Sequence, residues 1–113
     1  MIKRGEIYWV RIGKKETEGQ EIKKTRPAVV ITNNEQNAKS KVIIVAPLST
    51  SIHKIYAYQV PVWFDGKHQK VKCEQIKAVS IKRLGKEPKK IGNLSEENMI
   101  KIGQIIKKVL ALD

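Results

Sequence analysis

The chain has 113 residues, 41% of them hydrophobic, which is enough for one domain over residues 1–113 and too short for two. Its longest apolar runs, residues 28–31 and 42–48, are far shorter than a bilayer span, and no signal-peptide stretch follows Met1-Ile2-Lys3-Arg4-Gly5-Glu6. A membrane span is therefore excluded and a cytoplasmic location expected. The 23 Lys and Arg outnumber 11 Asp and Glu for a net charge of +12, a field that favours polyanions such as nucleic acid or an acidic protein.

In chain order, residues 5–12 nearly alternate and carry aromatics, so they predict a strand. Residues 13–24 are polar and uneven and predict a long loop. Residues 27–32 predict a second strand, opened by Pro27 where a missing backbone donor does no harm. Residues 33–40 read as a polar connection with turn residues. Residues 42–48 are apolar on both faces and predict a central strand. Residues 55–64 and 70–77 flank Asp65-Gly66-Lys67-His68-Gln69, a hairpin signature. Residues 78–84 predict a strand end or a short helical turn, and 85–93 a loop with a short extended piece. Ser95 then caps a helix whose Glu96 and Glu97 suit the positive end and whose Lys107 and Lys108 suit the negative end. Met99, Ile102, Ile106 and Val109 recur at helical spacing, and Leu94 with Met99 forms a hydrophobic staple. Five or so short strands and one terminal helix predict a mainly β fold, a small curved sheet or open barrel.

Two loop rims carry chemistry. In Thr25-Arg26-Pro27-Ala28-Val29-Val30-Ile31 the proline holds Arg26 extended at the mouth of a buried strand. Its guanidinium is always charged and its rigid fork matches phosphate, although an ordinary surface arginine has the same surroundings. Pro47-Leu48-Ser49-Thr50-Ser51 sets three hydroxyls after the central strand, where they form either phosphate donors or local turn bonds. His53 and His68 read as exposed surface histidines. One cysteine, Cys73, fits a strand and a reducing compartment. With two distant histidines it makes no zinc spacing. Trp9 and Trp63 read as core or interface rings.

The order of blocks resembles the MazF/PemK family of toxin endoribonucleases over nearly the whole chain. The matching pieces are Arg4-Gly5-Glu6-Ile7-Tyr8-Trp9-Val10, Gly19-Gln20-Glu21 leading to Thr25-Arg26-Pro27, Val45-Ala46-Pro47-Leu48-Ser49-Thr50 and Val71-Lys72-Cys73-Glu74-Gln75-Ile76-Lys77. Ile91-Gly92-Asn93-Leu94-Ser95-Glu96-Glu97-Asn98-Met99 completes the set. The resemblance implies a small SH3-like open β-barrel of the CcdB/PemK kind, a homodimer and an acidic, MazE-like antitoxin partner. It also implies sequence-specific cleavage of single-stranded RNA, mainly mRNA, with no metal and no cofactor. On it, Arg26 takes the catalytic arginine position, Ser49 a hydroxyl position often held by threonine, Thr50 the neighbouring hydroxyl, and Glu21 an acidic position used by some members. Lys72 and Glu74 stand where some members have an arginine and an aspartate. Lys23, Lys24, Thr25, Lys54 and Gln75 join them as expected RNA contacts. Ile22-Lys23-Lys24 departs from the usual small, glycine-containing approach to the arginine.

These residue types suit cleavage by the RNA's own 2′-hydroxyl. Arg26 steadies charge on phosphorus, Ser49 and Thr50 donate to a non-bridging oxygen, and Glu21 or Glu74 is a more natural base than arginine. Two other classes stay open: a CcdB-like poison of a protein target such as gyrase, and a non-catalytic RNA-binding module.

Overall fold

The computed structural model describes residues 1–12 and 25–112. Among these, seven strands form one sheet: β1 (Glu6–Arg11), β2 (Thr25–Val30), β3 (Val42–Ser49), β4 (Gln59–Phe64), β5 (Lys67–Lys72), β6 (Lys77–Ser80) and β7 (Lys90–Asn93). Their order is β4-β5-β3-β2-β1-β7, with β6 paired to the other end of β3. All pairings are antiparallel. The predicted central strand is thus β3, which has β2 on one edge and shares its other edge between β5 and β6.

The sheet curls into an open barrel, as expected. Its two edge strands meet: a Cβ placed on Gly92 of β7 would stand 2.5 Å from the ring of Phe64 at the end of β4. Both faces of the sheet are buried, so β1 hides Ile7 on one side and Tyr8 and Val10 on the other. One core holds Ile7, Val29, Ala46, Leu48, Val71 and Cys73 under the terminal helix α2 (Glu96–Val109). The second holds Tyr8, Val10, Ala28, Val30, Ile43 and Val79 under the 3-10 turn Ile81–Leu84.

Helix α2 follows the sequence expectation closely. The Ser95 side chain accepts from Asn98 N at 3.1 Å, and Met99 and Ile102 are buried. Leu94 is buried beside them, as the staple requires. The hairpin is tighter than expected. Asp65 and Gly66 take φ of 54° and 72°, the left-handed pair of a two-residue turn. Lys67, His68 and Gln69 therefore belong to β5.

Three predicted segments differ. Residues 33–40 are not a plain connection but contain a short helix, α1 (Asn34–Lys39), whose cap Asn33 accepts from Gln36 N at 2.8 Å. It has no apolar stripe because it is fastened by the buried Asn37 amide, which donates to Thr32 O at 2.8 Å. The strand predicted over 55–64 starts only at Gln59; before it the Tyr56 amide turns to the Gln59 side chain and the Lys54 carbonyl accepts from Lys70 of β5. The strand predicted over 70–77 is broken by a 3-10 turn, Cys73–Gln75, where the chain leaves β5 to enter β6.

Candidate active site

Strand register assembles the site. Antiparallel partners that stand directly opposite point to the same face. In the β2–β3 pair Ala28 opposes Pro47, and the same register continued by two residues sets Arg26 opposite Ser49. Val10 opposes Arg26 on one side, and Lys70 opposes Ser49 on the other. On that continuation, two residues past the last paired residues Ala28 and Pro47, Val10, Arg26, Ser49 and Lys70 line up as one row on the same face, at the end of the sheet where β2 enters. Arg26 is exposed and Ser49 half-buried. Pro27 sits where expected: paired with Trp9 of β1, near the free start of the strand.

Ser49 Oγ accepts a hydrogen bond from Ser51 N at 3.1 Å. Its own hydroxyl hydrogen is left free to donate. Strand alternation sends Thr50 to the other face. There it lines a cleft with Trp9, Pro27, Phe64, Asp65 and Gln69. The two neighbouring hydroxyls, expected to act together, thus face different spaces. Thr25, opposite Arg11, lines a basic cleft with Trp9, Lys82, Arg83 and Lys86. Trp9 is 51% exposed and borders both clefts, so it is a rim ring and not a core one.

Glu74 lies in the 3-10 turn, where its Oε2 accepts from Gln59 Nε2 at 2.8 Å. It also borders a cavity of about 580 Å³ with Tyr58, Ile105 and Val109. Lys54 holds its ammonium 4.7 Å above the Tyr56 ring, and Tyr56 stacks on Tyr58 at 5.1 Å. Lys72 is half-buried at the end of β5 and Gln75 is exposed. Glu21, Lys23 and Lys24 lie outside the described residues. Both histidines are exposed: His53 Nδ1 is 3.4 Å from Ser51 Oγ, and His68 meets Trp63 edge-on at 4.8 Å. Burial, with the nearby Glu74 charge, pushes the Cys73 thiol up to about 11, so it stays neutral and is no nucleophile.

Residues 3–110 match the family model described as PemK-like, MazF-like toxin of type II toxin-antitoxin system. The chain belongs to the PemK-like, MazF-like toxin family. Endoribonuclease MazF9 of Mycobacterium tuberculosis is 31% identical to it, with 99% of this chain and 98% of that protein aligned. Endoribonuclease MazF of Staphylococcus epidermidis is 30% identical over 100% of this chain and 94% of that protein. A mycobacterial endoribonuclease solved with its cognate antitoxin superposes with a TM-score of 0.80 at 18% identity, over 100% of this chain and 98% of that one. Deinococcus radiodurans MazF gives a TM-score of 0.79 at 13% identity, over 98% and 97%. This MazF-like toxin therefore shares the open barrel of those structures.

Sequence reasoning missed three things in this MazF-like site. The basic cleft of Lys82, Arg83 and Lys86 is joined to Thr25 only by folding. Trp9 carries no local mark of exposure. Nothing in the sequence singles out Lys70, yet it is buried. The one available signal was its place in an alternating strand, and that needs the register to be known.

Proposed function

We propose that this chain is an endoribonuclease toxin that cuts single-stranded RNA, mainly mRNA, at short sequence motifs without a metal ion. It acts as one domain in the cytoplasm and is silenced by an acidic antitoxin. The observation that carries the reading is the Arg26–Ser49 row, in a chain whose relatives are named endoribonucleases. Opposed side chains in a sheet start about 5 Å apart, close enough for a guanidinium and a hydroxyl to hold two oxygens of one phosphate.

In the reaction the 2′-hydroxyl attacks the adjacent phosphorus. A carboxylate takes its proton: Glu21, because Glu74 accepts from Gln59 and borders the cavity beside Ile105 and Val109, which neither Arg26 nor Ser49 lines. Arg26 and the Ser49 hydroxyl stabilise the charge that builds on the non-bridging oxygens. The 5′-oxygen leaves and takes up a proton from water, while Arg26 stays charged and keeps its hold on the phosphate. The products carry a 2′,3′-cyclic phosphate and a 5′-hydroxyl.

Thr25, Lys54, Lys72 and Gln75 extend RNA contact around this row, with Lys23 and Lys24 from the preceding segment. Exposed Ile100, Leu110 and Leu112 and the apolar cavity beside Tyr58 and Ile105 suit a homodimer. A concentration-independent monomer mass in light scattering would contradict that assembly.

Incubation of pure protein with a long single-stranded RNA in excess EDTA tests the reading. Fragments with cyclic-phosphate and 5′-hydroxyl ends are expected. Cleavage only after magnesium is added would overturn the metal-free chemistry. RNA that is bound but never cut would mark a non-catalytic module.

A further inference from the structure

Lys70 is 6% exposed, an unusual state for an ammonium, which is costly to remove from water unless it is well bonded. Among the described residues it pairs with no carboxylate. Its Nζ donates instead to the backbone carbonyl of Lys54 at 2.8 Å. The register sets Lys70 directly opposite Ser49, so the buried cation stands beside the hydroxyl of the candidate site on the same face of the sheet. The segment it grips, residues 50–58, is the one that leaves Ser49.

The same segment is fastened at two more points. Gln59 Oε1 accepts from Tyr56 N at 3.1 Å, and Ser51 N donates to Ser49 Oγ. A continuous chain runs from the Lys70 ammonium to the Lys54 carbonyl, along four residues of backbone, to the Ser51 amide and the Ser49 oxygen. The Ser51 bond occupies one acceptor direction of Ser49 Oγ and keeps the hydroxyl hydrogen off that side. A hydrogen bond from a charged donor is stronger than a neutral one, so Lys70 is the firmest of the three fastenings.

We infer that Lys70 is a positioning residue: it clamps the segment after β3 and so fixes the Ser49 hydroxyl toward the phosphate. The inference rests on the RNA-cleavage reading above. Lys70 stays under the segment and touches no RNA, so its loss alters the rate of the bound complex and not the affinity.

Lys70→Met keeps the apolar stem and removes the donor. Two measurements on the full chain test it. Trypsin must reach the Lys54 carbonyl to cut Lys54–Ile55. In native digestion of Lys70→Met that bond is expected to be cut at least about tenfold faster, with no matching rise at Lys101 in α2, because only local opening has become easier. In single-turnover cleavage of RNA, kcat is expected to fall on the order of tenfold or more while KM stays within about threefold, the pattern of a lost transition-state contact. If Lys70 acts through Ser49, the double variant with Ser49→Ala is no slower than Ser49→Ala alone by more than about twofold.

Unchanged tryptic cutting at Lys54 would overturn the clamp. Fully multiplying kinetic losses would overturn the link to Ser49. Wild-type protein that leaves RNA intact would overturn the cleavage reading and the catalytic half of this one, whatever trypsin reports. Should Lys70→Met unfold, Lys70→Gln gives the same two readouts with a shorter donor and the same direction expected.

Discussion

Replacing Arg26 with alanine separates chemistry from binding and from folding. The side chain is exposed and lies at the open end of β2. Its backbone pairing with Val10 survives truncation, so stability is expected to change by no more than about 0.5 kcal/mol, the usual range for surface sites. Binding also changes little. The chain drops by one charge from +12, and the logarithmic salt slope for a single strand falls by at most about 0.7, the value for one phosphate contact. The chemical step is different. A preorganised donor aimed at developing charge typically contributes about 10²–10³ in rate, roughly 3–4 kcal/mol. Arg26→Ala is therefore expected to lose about that factor in single-turnover rate, with melting temperature and RNA affinity close to wild type. Ser49→Ala loses less, since a neutral hydroxyl stabilises charge more weakly than a guanidinium. The assay is single-turnover cleavage of an end-labelled RNA, beside a filter-binding titration and a thermal melt. A variant that cleaves within about threefold of wild type, far inside the expected loss, would refute the assignment of Arg26 and the argument from register.

Two further outcomes follow from the fold. Gly92→Ala drives a methyl to 2.5 Å from the Phe64 ring and is expected to cost about 1–3 kcal/mol in urea unfolding, as overpacking does; an unchanged midpoint would mean that the β4 and β7 edges do not meet. The Glu6 carboxyl is held below its ordinary value of 4.5: burial works to raise it, but bonds from the Lys3 amide, the Tyr8 hydroxyl and the Lys90 ammonium outweigh this. A lowered folded pKa gives stability that is present above the unfolded pKa and lost as pH falls through the folded one. Wild type should therefore lose more stability than Glu6→Gln as pH drops below 4.5, and parallel pH–stability curves would show that the network contributes nothing.

Local structure with a local cause is legible directly from the residues. Ser95 with its following glutamates starts α2, Asp65-Gly66 turns the hairpin, and Pro27 opens a strand with Arg26 held extended before it. Each depends on residues a few positions apart, and each is where it was expected. Charge and the ordered blocks pointed to a polyanion-binding toxin of this family. The arginine and the hydroxyls were also legible as site candidates, because their residue types carry the chemistry.

How those candidates meet depends on the assembled sheet. Arg26 and Ser49 fall on one face because β2 and β3 pair in one register, and a slip of one residue would have put Thr50 on that face instead. Alternation along β3 then sends Ser49 and Thr50 to opposite faces, although they are neighbours in sequence. The helix α1 escaped prediction because a cap and a buried asparagine hold it, and neither leaves a hydrophobic period. Lys70 carries no mark of burial in the sequence; it is buried by its place in β5 and held by its bond to the Lys54 carbonyl. Burial and register are set by segments far apart in the chain, and the energy that fixes them comes from packing both faces of a curled sheet at once.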